Sequence, residues 1–196
     1  MKSSRLILAI CMSGLSMGAF AQSLQEIQQR DVNQQQRIET GLQNGSLNTR
    51  EAALLERDQK RLQSAEAKDL KNGNLSTAER RQLTRLENKD SRDIREATSN
   101  GVKGDPLSTS SQRMQVDVQR NVNEDKRIEA GVKNGSLTNR ETARLDQGQA
   151  RVDGKEFRAG KNGYVNKGEQ AGVQQAESNQ SHRIHRLKTN DHNRRG

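Results

Sequence analysis

The sequence predicts an all-α protein of tandem helical hairpins, arranged as two homologous three-helix halves joined by a flexible linker. Three observations indicate this fold class. A short turn with helix-capping residues occurs four times, and the chain repeats itself after 90 residues. Only 2% of the residues are aromatic, and almost no alternating β-branched positions are present that would indicate strands.

The four turns carry the signals for one helix end followed at once by a helix start. Glycine in each Asn-Gly pair adopts the left-handed conformation without steric cost and so ends a helix. Three residues later a polar side chain can cap the next helix, and the glutamate three residues beyond it can complete a capping box. The predicted turn and cap residues are Gly45, Asn48 and Glu51; Gly73, Ser76 and Glu79; Gly135, Thr138 and Glu141; and Gly163, Asn166 and Glu169.

The spacing of the turns indicates a duplicated pair of hairpins. Asn44 and Asn72 are 28 residues apart, as are Asn134 and Asn162. Residues 30–94 align with residues 120–184 without a gap, and 25 of these 65 positions are identical. A repeat of this length predicts one structural unit that is used twice.

Six helices follow from the turns and from apolar residues at helical spacing. Ser23 is expected to cap the first of them. Closely spaced charges such as Glu87 and Asp90 are interpreted as a solvated helix face. The predicted helices cover about residues 23–43, 48–71, 76–98, 111–133, 138–161 and 166–187.

The first 21 residues have the features of a signal peptide. Lys2 and Arg5 precede a short apolar run that also contains Cys11, the only cysteine, and small residues permit cleavage between Ala21 and Gln22. The run is too short to span a bilayer, so we expect a periplasmic or secreted mature chain without a transmembrane anchor. The predicted divisions are the signal peptide (1–21), the first helical half (22–98), the linker (99–111), the second helical half (112–187) and a basic, histidine-containing tail (188–196).

The composition predicts a thin apolar core. Hydrophobic residues make up 29% of the chain and charged residues 30%, with a net charge of +9, which approaches the composition of disordered chains. The ungapped repeat and the repeated caps favour helices over disorder. Because short amphipathic helices are unstable alone, the hairpins are expected to stack on one another or to self-associate. Whether the two halves touch is left open.

No arrangement of residues indicates catalysis. The sequence contains no H-E-x-x-H motif, no G-x-S-x-G motif and no phosphate-binding loop, and the predicted mature chain has no cysteine. Carboxylates are plentiful, but each is interpreted as having a basic neighbour or a cap to serve. We therefore expect a protein that is not an enzyme and uses no cofactor.

Calcium binding by the turns is one alternative function. Asn, Gly, an apolar residue and Glu occupy the fifth, sixth, eighth and twelfth places of a loop that resembles the second half of an EF-hand. The first half does not match, because none of its first-place residues offers a carboxylate. Those residues are Thr40, Lys68, Ala130 and Arg158. Helix capping is therefore the preferred interpretation of the turns.

A second metal alternative lies near the C-terminal end. His182 and His185 are one helical turn apart, and His192 is a third candidate ligand for copper, nickel or zinc. Arg183 and Arg186 would repel a cation, so a solvated basic tail is the competing interpretation. The tail has no aromatic residues for stacking on bases, and a nucleic-acid partner is not expected.

Residues 127–141 read Arg-Ile-Glu-Ala-Gly-Val-Lys-Asn-Gly-Ser-Leu-Thr-Asn-Arg-Glu and resemble the Gly-x-Leu-Thr-x-x-Glu helical-hairpin signature of uncharacterised exported bacterial proteins. The turn also resembles the Leu-Thr-x-x-Gln motif of the Spy and CpxP periplasmic stress proteins, with Glu in place of Gln. That resemblance implies an ATP-independent chaperone or an envelope-stress sensor. We expect a non-catalytic exported protein with a binding, structural or chaperone-like envelope role and an unidentified protein or envelope partner; metal binding is the alternative.

Overall fold

The prediction of an all-α fold is confirmed. The computed structural model describes the backbone of residues 16–190 and the side chains of residues 24–190, and within that part of the chain no strand is present. Most of the predicted signal peptide and the candidate ligand His192 lie outside it. The helices are α1 (Ser16–Gln43), α2 (Thr49–Asp69), α3 (Thr77–Ser99), α4 (Thr109–Lys133), α5 (Asn139–Gly160) and α6 (Lys167–Lys188), and a 3-10 turn covers Leu70–Asn72.

Two helix starts differ from the prediction. Ser23 does not cap α1, which already begins at Ser16, because the preceding residues include Ala19 and Ala21 and no proline that would stop a helix. In α4 the cap is Ser108, whose side chain accepts a hydrogen bond from the backbone N–H of Ser111. That helix therefore begins within the segment predicted as linker.

The four repeated turns have the same local structure. In the first, the Asn48 side chain accepts a hydrogen bond from the Glu51 N–H at 2.9 Å, and the Glu51 carboxylate accepts one from the Asn48 N–H at 3.1 Å. Capping boxes of this kind also start α3, α5 and α6. The glycine of each turn has a positive φ, as only a residue without a Cβ does at low cost. The turns therefore act as helix stops and starts.

The two halves pack against each other, and their helices have corresponding neighbours. α1 packs mainly on α4 and α2 mainly on α5, while α3 lies on α1 and α2, and α6 lies on α4 and α5. The two halves also share an ion pair at equivalent positions. Arg30 pairs with Glu87 at 2.7 Å, and Arg120 and Glu177, each 90 residues later, pair at 3.0 Å. The helices α1, α2, α4 and α5 thus form a central four-helix bundle.

The interior of this bundle is apolar toward both ends and polar in the middle. One apolar cluster joins residues such as Leu24 and Leu62 of the first half to Ile128 and Leu145 of the second. The other joins Ile38, Leu42 and Leu55 to Met114 and Val118. Between them, the middle turns of each central helix present Asp, Glu, Asn and Gln side chains. Each half therefore completes its apolar core with residues of the other.

Within residues 16–190, no helix has a stretch that is both long and apolar enough to cross a bilayer.

The Gly45 turn provides a test of the fold. A Cβ at Gly45 would require a left-handed alanine with φ near +73° and would lie 3.0 Å from the Gly104 carbonyl oxygen. Gly45→Ala is expected to lower the free energy of unfolding by about 1–2 kcal/mol, measured by urea denaturation.

Gly172→Ala is the matched control, because no atom lies within 4 Å of the position that a Cβ would take at this helical glycine. It is expected to stabilise the protein by about 0.5–1 kcal/mol. Equal effects of the two substitutions would contradict the assignment of Gly45 to a turn.

Candidate metal centre

The buried charges of this protein all have one sign. Between residues 24 and 190 every buried charged side chain is an aspartate or a glutamate, and no lysine, arginine or histidine is buried. The interpretation of Glu87 and Asp90 as a solvated face is wrong, because both are less than 5% exposed. The related expectation that every carboxylate serves a basic neighbour or a cap is wrong as well. The protein is basic outside and acidic inside.

The buried side-chain atoms that lack a hydrogen-bond partner show the same imbalance. All of them are oxygens of Asp, Glu or Gln, so the interior has more acceptors than donors. Unpaired acceptors cost free energy when they are buried, and unpaired carboxylates cost far more. The interior therefore needs positive charge or protons to be stable.

Three of these carboxylates lie close enough to share a ligand. Glu56 of α2 and Asp153 and Glu156 of α5 each offer an oxygen, and these oxygens lie within 4.8 Å of one another. All three side chains are 0% exposed. Each also has one oxygen without a hydrogen-bond partner. Within residues 24–190 no other set of three Asp, Glu, His or Cys side chains converges as closely.

Amide side chains from the other two central helices support this group. The Gln35 Nε2 of α1 donates to Glu56 at 3.0 Å, and the Asn121 Nδ2 of α4 donates to Glu156 at 2.7 Å. The Gln35 Oε1 is buried and has no partner. Glu56, Asp153, Glu156, Gln35 and Asn121 are together called the Glu56 site. It draws on all four helices of the central bundle.

Burial shifts the pKa values of these acids strongly. Burial raises the pKa of Glu56 to about 7, although hydrogen bonds with Gln35 and Glu156 act in the opposite direction. Burial, and next the negative charge of Glu56, raise the pKa values of Asp153 and Glu156 well above their ordinary range. Near neutral pH the site therefore holds protons that a cation could replace.

The ligand chemistry of the Glu56 site suits a hard cation. Carboxylate and amide oxygens are the ligands preferred by Ca²⁺ and similar ions, whereas copper and zinc favour nitrogen and sulfur. Ca²⁺ binds oxygens at about 2.3–2.6 Å. A separation of up to 4.8 Å between ligand oxygens is compatible with one shared ion of this size.

The histidines predicted as metal ligands lie elsewhere. His182 and His185 are exposed on α6, and neither belongs to a converging group of three ligand side chains within the described chain. His192 lies outside the described residues. The structure does not bring the two described histidines together with any carboxylate set.

In the first of the turns proposed as degenerate EF-hand loops, both oxygens of the glutamate are engaged in other contacts. One Glu51 oxygen accepts from the Asn48 N–H and the other accepts from the Asn100 side chain at 2.7 Å. Leu42, at the third place of that loop, is 0% exposed in the apolar core. These contacts favour helix capping over calcium binding at the turns.

The Glu56 site was missed from the sequence although a signal for it is present. The polar residues Glu56, Gln59, Gln63 and Glu66 follow one another at intervals of three, four and three residues. Asp146, Gln149, Asp153 and Glu156 repeat this spacing 90 residues later. Such spacing places all four side chains on one helix face. The spacing identifies a shared polar face in both repeats, but a solvated helix face has the same pattern, so burial follows only from the packing of the helices.

Comparison with known proteins provides no relative from which function could be transferred. No protein-family model, no curated protein and no solved structure matches the chain.

The raised pKa values predict how stability depends on pH when cations are removed by EDTA. Glu56 keeps its proton up to about pH 7 in the native state and loses it near the ordinary value of 4.5 when unfolded. The resulting stabilisation is fully present below the unfolded value and is lost as the pH rises through 7. Between the unfolded and the native pKa values, each pH unit lowers the free energy of unfolding by about 1.4 kcal/mol per group.

The melting temperature is therefore expected to be roughly 10 °C lower at pH 8 than at pH 5, measured by circular dichroism. Glu56→Gln should reduce this difference, and Glu96→Gln, at an exposed position, should leave it unchanged. A melting temperature that rises from pH 5 to pH 8 would contradict the burial of ionisable acids.

Proposed function

We propose that this protein is an exported, non-catalytic binding protein that holds a hard multivalent cation at the Glu56 site. One observation carries the proposal: three fully buried carboxylates converge within 4.8 Å, and no basic side chain of residues 24–190 is buried beside them. Such a group is stable only when protons or a cation neutralise it.

A cation offers the better neutralisation at neutral pH. Protons can neutralise the Glu56 site in acid, but the pKa of Glu56 is only about 7. Above that pH the site gains a negative charge in a low-dielectric interior, where a multivalent ion interacts far more strongly than in water. Cation binding and proton release are therefore linked.

The charge of the site indicates which hard ions fit best. Three carboxylates match the charge of a trivalent ion such as a lanthanide, while Ca²⁺ leaves one negative charge or one proton. Mg²⁺ fits less well, because it prefers to keep several waters in a strict octahedron. We therefore rank trivalent lanthanide ions and Ca²⁺ above Mg²⁺, and all of them above Cu²⁺ and Zn²⁺.

The exported location and the envelope role belong to this proposal and rest on the signal-peptide features and the hairpin resemblance. A chaperone-like role has less support, because the apolar stripes that would bind a client are buried in the two apolar clusters. Only a few large apolar side chains are exposed within residues 24–190. They are Val102, Leu107, Val116 and Tyr164.

Calorimetric titration with Ca²⁺ and europium luminescence with Eu³⁺ test the proposal at pH 7.5. Glu56→Gln combined with Asp153→Asn is expected to weaken binding at this site at least 100-fold. Because the double variant removes buried charge without changing shape, its cation-free form should melt at the same or a higher temperature than the wild type. This separates loss of ligands from loss of fold.

Three control variants identify the site. Glu96→Gln removes an exposed carboxylate, Glu51→Gln removes a turn glutamate, and the double change His182→Ala and His185→Ala removes the exposed histidines. All three should bind Ca²⁺ and Eu³⁺ as the wild type does. Affinity no better than millimolar in the wild type, or loss of affinity only in the Glu51 or histidine variants, would overturn the proposal.

A further inference from the structure

A groove on the outside of the bundle is lined by basic side chains. It lies between the C-terminal end of α2, with the 3-10 turn that follows, and the first turns of α5. Its volume of about 560 Å³ is within the range of about 300–1,000 Å³ that is usual for small-molecule sites. Among the described residues, the charged side chains that line it are Lys68, Lys71, Arg140 and Arg144, which define the Lys71 groove. A groove of this charge attracts anions.

No ion pair within residues 24–190 neutralises these four cations. Asp69 and Glu79 are close enough to Lys68 to interact with its charge, but neither of them lines the groove. Like charges four residues apart on a helix repel each other, as those of Arg140 and Arg144 do. The Lys71 groove therefore concentrates positive charge without a counter-charge at its surface.

Helix stability does not account for the arginine side of the groove. The N-terminal end of a helix disfavours cations, yet Arg140 lies in the first turn of α5. Its Nη2 donates to the Asn72 carbonyl oxygen at 3.2 Å, and beside it the Asn139 Nδ2 donates to the Gly73 carbonyl oxygen at 2.8 Å. These contacts join the two halves and fix one wall of the groove. A guanidinium group has five N–H donors, so this wall still offers donors to a ligand.

The repeat provides an internal comparison for the Lys71 groove. Ala67 lines the groove and corresponds, 90 residues later, to Phe157, while Arg144 corresponds to Leu54. Phe157 packs against one of the apolar clusters, and the Arg57 guanidinium lies 5.9 Å from the centre of its ring. Three cations are kept at the corresponding place, namely Arg50, Arg158 and Lys161. Alanine at position 67 therefore leaves room for a ligand where the other half carries an aromatic ring.

We propose that the Lys71 groove binds a small oligophosphate anion, whose linked phosphate groups contact the arginines on one side and the lysines on the other. Planar guanidinium groups match the geometry of phosphate oxygens, and lysine adds compact positive charge. Linked phosphates carry several negative charges in a small volume, as neutralisation of four cations requires. The groove shares no residue with the Glu56 site, so this inference goes beyond the proposed function and does not depend on it.

Calorimetric titration of the full chain with inorganic triphosphate tests the inference. Protein and ligand are first passed over a chelating resin, so that no metal complex of triphosphate forms. At physiological ionic strength, charges more than about 8 Å away are largely screened. We expect one triphosphate ion per chain with affinity better than millimolar, and at least tenfold weaker binding of inorganic phosphate, which reaches fewer of the cations. ATP carries the same triphosphate group; tighter binding of ATP would identify a nucleotide as its source, and weaker binding a free oligophosphate.

Two variants and one matched control locate the binding. Arg140→Gln with Arg144→Gln removes two cations of the groove and is expected to weaken triphosphate binding at least tenfold. Arg81→Gln with Arg85→Gln removes two exposed arginines at the same spacing on α3 and should change the affinity less than about twofold. Ala67→Phe keeps every charge but places the ring of the corresponding position in the groove, so it should also weaken binding at least tenfold.

Thermal melts by circular dichroism check that each variant is folded, and the two arginine pairs decide the question if Ala67→Phe is not. Equal losses in the two arginine pairs would mean diffuse attraction to a basic surface, and would overturn the inference. Full binding by a folded Ala67→Phe variant would mean that the ligand lies outside the groove. Affinity no better than millimolar in the wild type, or equal affinity for phosphate and triphosphate, would also overturn it. None of these outcomes bears on cation binding at the Glu56 site.

Discussion

The structure depends on how negative charge is held inside a helical bundle. An ionised carboxylate without a partner is among the most costly groups to bury, and this interior contains many carboxyl groups but no buried basic side chain in residues 24–190. The outer ion pairs, such as Arg30 with Glu87, lie at the edge and reach only part of the set. Protons or cations must supply the rest. Protonation of these acids, or a bound cation, would therefore stabilise the bundle.

Duplication explains how a chain with few apolar residues can enclose such an interior. Each half supplies amphipathic helices whose apolar residues are completed by the other half, so the two apolar clusters close both ends of the bundle. The capping boxes fix where each helix starts and therefore which residues face the middle. Glycines in α5 allow close packing; a Cβ at Gly160 would lie 2.8 Å from the Ala53 side chain. The apolar clusters at the two ends thus enclose the polar middle.

The helices could be predicted because their signals are local. Gly45 ends one helix, and Asn48 and Glu51 cap the next, through contacts within a few residues of one another. The other three copies of the turn do the same. The acidic interior could not be predicted in this way, since Glu56 and Glu96 are the same residue type and only tertiary packing buries the first and exposes the second. The composition does not reveal this interior either. A high fraction of charged residues suggests an exposed surface, but some of these residues are buried when the helices of the two halves pack together. The equal spacing of polar residues in α2 and α5 indicates a polar face in both repeats, and the packing of the two halves decides that this face is buried.

Proton release on cation binding tests the central claim most directly. Calorimetric titration of the full chain with Eu³⁺ at pH 6, repeated in two buffers of different ionisation enthalpy, gives the number of protons released per bound ion. Because the pKa of Glu56 is about 7 and those of its neighbours are raised, the site is largely protonated at that pH, and we predict release of at least one proton per ion. Binding with no proton release would mean that the ion is held by exposed carboxylates, and would contradict a cation centre in the protein interior.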